Sequence, residues 1–143
     1  MTRAIAVLDA GSGDGLEIRD TLLLTQDERR TSGGCFVGLR GTAVEMALPA
    51  GTRLLHDDRV VLDDGSAVEI VARPESLLEV RAPNTAALAR AAWLLGDHHI
   101  PVEIHVRYLR VQRTAAVEKL LSDLGVTVRA IEAPFEPEGG AYH

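Results

Sequence analysis

The 143-residue chain has little of what several protein classes require. Its single cysteine, Cys35, excludes an intrachain disulfide and any zinc cluster built from the cysteines of one chain. Aromatic residues make up only 3% of the sequence, too few for a platform that stacks single-stranded nucleic acid. Because 15 basic residues stand against 21 acidic ones, the net charge of -6 disfavours a nucleic-acid partner and is compatible with a cation.

No apolar run approaches the length of a membrane-spanning helix, and the first residues lack the basic and apolar regions of a secretory signal. We therefore expect no membrane partner and a cytoplasmic location. What the chain does have is 46% hydrophobic and 25% charged residues, an ordinary globular composition. This is enough apolar surface for one compact domain or two small ones.

Residues 1–75 read as a small antiparallel β domain, with short apolar strands separated by turns. Asp64-Gly65 between two apolar runs is a hairpin signal. The acid pairs Asp57-Asp58 and Asp63-Asp64 lack the alternate spacing and distal glutamate of a calcium-binding EF-hand loop. We interpret them as turn residues. Cys35 has no histidine nearby to activate it, and His56 is expected in a loop.

The loop from Gly11 to Gly15 follows an apolar strand and an acid, as in the first unit of an S-adenosylmethionine-dependent methyltransferase. That chemistry requires a helix directly after the glycines, with its N-terminus aimed at the ligand. Here residues 16–21 alternate with a period near two, which favours a strand. A surface loop between two strands is the preferred interpretation, and the methyltransferase remains the enzyme alternative.

In residues 76–143 the apolar pattern changes from short strands alone to alternating strands and helices. This order predicts a ferredoxin-like βαββαβ domain, so the whole chain is α+β. A helix over residues 86–95 is expected behind an N-cap at Asn84 or Thr85, and a second amphipathic helix behind Thr114. Strands are expected before, between and after the two helices.

Between the first helix and the next strand lies the segment from Gly96 to Pro101, which contains His98 and His99. Gly96 is the expected left-handed residue that closes the helix, and Pro101 favours an extended Ile100. The two imidazoles are then expected to point to opposite sides. From these residues alone, two solvated loop histidines and a metal site both stay open, and the former is more common.

His105 lies in the alternating run of residues 102–106, on the opposite face from Val102, Ile104 and Val106. This placement allows a weak secondary metal site at His105.

Two segments of the C-terminal half resemble the UreE family of nickel metallochaperones that assist urease assembly. Residues 93–101 (WLLGDHHIP) are similar to the family signature Leu-Gly-Asn-Arg-His-x-Pro, and residues 133–142 (APFEPEGGAY) to its Pro-Phe-Glu-Pro-Glu-x-Gly-Ala-Tyr segment. Residues 24–29 and 62–65 fit the N-terminal half of the family. The resemblance covers nearly the whole chain.

The resemblance implies a homodimer in which His99 from each copy binds one Ni(II) ion as cargo near the two-fold axis. Asp97 and His98 replace the usual Asn and Arg, so His98 is either an auxiliary ligand or a solvated substitute. His143 directly follows the second motif and could fold back toward the His99 pair.

The implied activity is delivery of Ni(II) to apo-urease, with a urease maturation GTPase and other urease accessory proteins as partners. Zn(II) and Cu(II) are possible competitors, because nitrogen sites generally bind copper more tightly than nickel. A metal-independent protein-binding module, in which the β domain presents a strand edge to peptides, is the second alternative.

Overall fold

The computed structural model describes residues 2–11 and 15–139. The chain divides into two compact units, Met1–Arg73 and Pro74–His143. None of the helices in the described ranges is long and apolar enough to cross a membrane.

The first unit is a six-stranded sheet in the order β2-β6-β5-β1-β4-β3. Its strands are β1 (Thr2–Leu8), β2 (Ile18–Leu24), β3 (Cys35–Val37), β4 (Ala43–Met46), β5 (Arg59–Leu62) and β6 (Ala67–Ala72). The prediction of an antiparallel sheet holds for three of the five strand pairs and is wrong for the other two, because β1 pairs with β4 and β2 with β6 in parallel. Parallel pairing needs a long connection, which local turn signals such as Asp64-Gly65 do not reveal.

Alternation along the strands supplies the core of this unit. In β4 and β5 every second side chain is buried, which places Val44, Met46, Val60 and Leu62 in one apolar cluster. A four-residue helix, α1 (Gln26–Arg29), begins behind a capping box formed by Thr25 and Glu28. It is too short to show a helical period in the sequence.

A buried carboxylate organises the loop after β3. Asp20 accepts hydrogen bonds from the backbone N–H groups of Thr21 (2.7 Å), Arg40 (2.9 Å) and Thr42 (3.1 Å). Burial alone would raise the pKa of this carboxyl, but the three N–H groups outweigh burial and lower the pKa to about 2. A Cβ added to Gly38 would overlap the same carboxylate, so the loop requires glycine there.

The acid pairs have the turn roles that their spacing predicts. Asp58 accepts the N–H of Leu55 at 2.8 Å, and Asp64 accepts the N–H of Ser66 at 2.9 Å. Asp57 has a positive φ of 69°, which is typical of a turn aspartate. After Gly15 the chain continues into β2 rather than into a helix, so the glycine loop does not present a helix N-terminus.

The second unit is a four-stranded sheet in the order β10-β7-β9-β8, in which all neighbours are antiparallel. Its elements are β7 (Glu75–Arg81), α2 (Thr85–Asp97), β8 (Glu103–Ile104), β9 (Leu109–Gln112), α3 (Ala115–Ser122) and β10 (Thr127–Ala133). Of the two N-cap candidates for α2, Asn84 is the cap, because it accepts the N–H of Ala87, and Thr85 is the first helical residue. The predicted N-cap Thr114 is confirmed, because it accepts the N–H of Val117.

Both helices pack on the same face of this sheet. Leu88, Ala91 and Leu95 of α2 and Val117 and Leu121 of α3 share one cluster with alternate residues of the strands: Leu78, Val80, Leu109 and Val111. The apolar residues of the helices recur every three or four positions and those of the strands every second position, so each element presents one apolar face to this core.

The segment after β10 crosses to the opposite edge of the sheet. Glu136 donates its N–H to the Glu103 carboxylate at 2.8 Å, and Glu138 donates its N–H to the Val102 carbonyl at 2.8 Å. Because β10 and β8 are the two edge strands, residues 134–138 span the sheet. Phe135 in this segment is fully buried.

Candidate functional site

Helix α2 ends later than its sequence suggests. It runs through Gly96 to Asp97, with His98 as the C-cap (φ -86°, ψ 9°), and the left-handed residue is His99 (φ 57°). The predictions that Gly96 takes this conformation and that the two histidines lie in an extended segment are therefore wrong.

Two backbone hydrogen bonds close the helix in a Schellman motif. The N–H of His99 donates to the Gly96 carbonyl and that of Ile100 to the Leu95 carbonyl, both at 2.9 Å. The positions of the buried residues in α2 explain why the helix ends here. Leu95 is its last buried residue and Ile100 packs against the same cluster, so the motif must join these two residues and place His99 at the left-handed position.

A histidine in this conformation carries a conformational cost. The left-handed region is unfavourable by about 1–2 kcal/mol for a residue with a Cβ, which is why glycine is the usual residue there. Side chains held in such conformations are enriched at functional sites. The helix end explains the conformation, but a histidine in place of the more stable glycine makes the His99 side chain a candidate for a functional role.

The surroundings of His99 favour a cation. His98, His99 and Asp97 are all exposed at the C-terminal end of α2. The last helical turn contains no basic residue, so the partial negative charge of the helix end is not compensated. The Asp97 carboxylate adds to this negative potential.

One chain does not complete a metal site from the residues that the structure describes. Within residues 2–11 and 15–139, no group of three or more His, Cys, Asp or Glu side chains could hold a metal ion. His143 lies outside the described residues. A ligand set that includes His99 must therefore draw on a second chain, on solvent or on residues beyond Gly139.

His105 belongs to a different cluster. Its Nε2 lies 2.6 Å from a Glu103 carboxylate oxygen, and its ring stacks on Tyr108 with the centroids 4.4 Å apart. Glu103 is buried, whereas Ile104 and Val106 are exposed by 51% and 93%. After Val102 the apolar residues of this run are therefore exposed and Glu103 is buried. Glu103 is buried because the C-terminal segment covers it, with the N–H of Glu136 bonded to its carboxylate.

A charged row on the sheet was not foreseen from the sequence. Glu79, only 4% exposed, lies within 4 Å of three arginines: Arg81 at 2.9 Å, Arg129 at 3.4 Å and Arg110 at 3.7 Å. Burial would raise the pKa of Glu79, but Arg81 and then the other two arginines outweigh it and lower the pKa. The available signal was a glutamate with apolar neighbours on both sides, Leu78 and Val80, within β7.

Comparison with known proteins identifies both units. The model of the N-terminal domain of the UreE urease accessory protein matches residues 3–73, and that of the C-terminal domain matches residues 75–143. A urease accessory protein UreE from Beijerinckia indica is 42% identical over 99% of this chain and 82% of its own length. One from Teredinibacter turnerae is 36% identical over 94% of this chain and 87% of its own length.

Some relatives are longer. A urease accessory protein UreE from Bradyrhizobium is 44% identical over 86% of this chain, but the alignment spans only 60% of the Bradyrhizobium protein. The two family models together account for nearly every residue of the chain. The chain therefore belongs to the UreE family of urease accessory proteins, which is a family of accessory proteins and not of enzymes.

Proposed function

We propose that the protein binds Ni(II) as cargo and delivers it to apo-urease during urease maturation. Membership of a urease accessory family supports the role in maturation. The observation that carries the nickel assignment is His99, an exposed imidazole in a left-handed conformation at an electronegative helix end. Imidazole is a good ligand for Ni(II).

We propose that the site is shared between two copies of the chain. The described residues of one chain supply too few ligands, and a two-fold axis next to His99 would double each ligand. Trp93 supports a contact here, because this large apolar side chain is 69% exposed on the last turns of α2. The open coordination positions would be filled by water or by further histidines, and an open site can release its ion.

His143 is the first candidate for a further ligand. Glu138 is fixed to Val102, so the remaining five residues can extend at most about 17 Å from that point. Val102 lies three positions after His99, a span of at most about 10 Å. The chain is therefore long enough for His143 to reach His99. We rank His98 next, and His105 last because Glu103 already holds its Nε2.

We infer a ferredoxin-like fold for residues 76–143, supported by the strand order β10-β7-β9-β8 and by two helices on one face. In this proposal that domain dimerises and binds the metal. The β domain of residues 1–75 contacts the maturation GTPase, other urease accessory proteins and apo-urease. The proposed compartment is the cytoplasm, where Zn(II) and Cu(II) would compete for the same nitrogen ligands.

Calorimetric titration of Ni(II) into the metal-free protein tests the proposal. We expect about one ion per dimer for the parent protein and loss of this binding in His99→Asn, since asparagine also tolerates the left-handed region. His56→Asn is the matched control, because His56 is an exposed histidine of the first unit. Unchanged binding in His99→Asn would contradict the proposed ligand.

The mass in solution separates metal binding from assembly. A His99→Asn protein that stays dimeric but binds no nickel supports the shared site. If that variant retains every partner interaction measured in the presence of nickel, a metal-independent binding module replaces the chaperone proposal.

A further inference from the structure

A cavity of about 300 Å³ lies at the N-terminal end of α2. Two arginines, Arg81 and Arg107, line it together with Asn84, Thr85, Leu88 and Val106. No acidic side chain lines it, although the chain contains 21 acidic residues. The 13 residues of α2 separate it from the His99 end by about 20 Å.

Arg81 is held in place from one side. Its Nε donates to the buried Glu79 carboxylate at 2.9 Å, and its guanidinium carbon lies 4.9 Å from the centroid of the Tyr108 ring. Within the part of the chain that the structure describes, its two terminal nitrogens have no acceptor. The Arg81 guanidinium is thus oriented before any ligand arrives, and its terminal nitrogens remain available for a carboxylate.

Arg107 and Val106 form the turn between β8 and β9, which the bond from the His105 N–H to the Tyr108 carbonyl closes at 3.0 Å. Arg107 is exposed and forms no ion pair with any described residue. Val106 is 93% exposed, which is unusual for an aliphatic residue beside a cavity. Leu88, from α2, adds an apolar side chain to the wall.

The cavity is positive on a chain whose net charge is -6. Arg81 pairs with Glu79 outside the cavity, but Glu79 is shared with Arg110 and Arg129, and the cavity lining contains no carboxylate. The first turn of α2 contains no acidic residue that would neutralise the helix end. A nucleic acid would meet only the two arginines of the cavity and a repulsive overall charge. A ligand that combines carboxylates with an aliphatic group would match both the charge and the exposed valine.

We propose that this cavity docks an acidic segment of a partner protein. Its carboxylates pair with Arg81 and Arg107, and an aliphatic side chain between them packs on Val106 and Leu88. The site lies at the opposite end of α2 from His99 and involves none of the proposed metal ligands. The docking proposal can therefore be tested separately from the nickel proposal.

The test is a chemical-shift titration of the ¹⁵N-labelled, metal-free full chain. The probe is the peptide acetyl-Gly-Glu-Val-Glu-Gly-amide, added up to about 10 mM, a range that detects weak complexes. The matched peptide has glutamine in place of both glutamates. We expect saturable shifts at Val106, Arg107 and the start of α2 with the acidic peptide only.

Arg107→Gln should weaken peptide binding about five- to tenfold, because a charged hydrogen bond to a partly exposed group is lost. Arg90→Gln is the control, since Arg90 is an exposed arginine of α2 that does not line the cavity. The control should bind as the parent does. Equal binding by Arg107→Gln and the parent, or by the two peptides, would overturn the proposal.

Three further outcomes would also overturn it. Absence of saturable shifts would remove the docking site. Equal or stronger shifts with sodium phosphate would indicate a site for free anions. Shifts of the same amides on dilution of the protein alone would identify the occupant as a second copy of the chain.

Discussion

Replacing His99 by glycine should stabilise the second unit while removing the proposed metal ligand. The left-handed backbone of His99 costs about 1–2 kcal/mol relative to glycine. Glycine also makes the unfolded chain more flexible, which stabilises the unfolded state by about 0.4–1 kcal/mol and offsets part of the gain. The expected net gain is therefore about 0.5–1 kcal/mol in the free energy of unfolding.

His99→Ala is the comparison that isolates the backbone. It removes the imidazole but keeps the Cβ, so the cost of the left-handed conformation remains. Inside a helix, glycine is less stable than alanine by roughly 1 kcal/mol. At residue 99 we expect the opposite order, with glycine the more stable of the two variants.

Urea unfolding of the metal-free variants, at the same protein concentration, measures the difference in stability between His99→Gly and His99→Ala. Trp93 is the only tryptophan and lies on α2, so its fluorescence reports the second unit. With a slope of about 1–2 kcal/mol per molar urea, the midpoint of His99→Gly should lie roughly 0.5 M above that of His99→Ala. A glycine variant no more stable than the alanine variant would refute the left-handed assignment and the functional argument built on it.

Further predictions concern the buried carboxylate, the metal and the proposed dimer. The pKa of Asp20 is lowered from 3.8 to about 2 on folding, so its contribution is complete above pH 4 and is lost as the pH falls from 3.8 to 2. The shift is equivalent to about 2.5 kcal/mol before solvent screening, which reduces this value. Urea midpoints at pH 5 and pH 2.5 should therefore differ less in Asp20→Asn than in the parent. Gly38→Ala should destabilise the first unit by about 2 kcal/mol or more, measured by thermal unfolding, because its Cβ overlaps the Asp20 carboxylate. Protons compete with Ni(II) for imidazole nitrogen, so calorimetric affinity should weaken below about pH 6, and a flat affinity from pH 8 to pH 5 would argue against histidine ligation. Trp93→Glu should shift the solution mass from dimer to monomer, and an unchanged mass would place the contact elsewhere.

Local signals predicted the helices of the second unit well. Asn84 and Thr114 cap them, and Gly125 after α3 has a positive φ of 66°, as a glycine that follows a helix commonly does. These features depend on neighbouring residues alone, which is why the sequence reveals them.

Features that depend on distant contacts were missed. Gly96 looked like the end of α2, but the packing of Leu95 and Ile100 sets that end and moves the left-handed residue to His99. The parallel pairing of β1 with β4 joins segments more than thirty residues apart in the sequence. The apolar alternation of residues 102–106 gave no sign that Glu103 is buried, because the N–H of Glu136 bonds to it from a segment more than thirty residues away.

Within the candidate site, the motif indicated His99 as the proposed ligand, whereas the backbone conformation of His99 came only from the structure. The sequence also gave no indication that Arg81 and Arg107 share a cavity, because they lie on elements separated by α2. Their proximity follows from the antiparallel pairing of β7 with β9.

The segment after β10, residues 134–138, affects how the protein should be purified. Glu138 is bonded to Val102, three positions after His99, and only five residues lead from Glu138 to His143, so a segment fused behind His143 is within reach of the proposed nickel ligand. A C-terminal polyhistidine tag would then add its own imidazoles to the site and inflate both the stoichiometry and the affinity. Nickel titrations therefore need an untagged protein, or a tag that is cleaved before the metal is added.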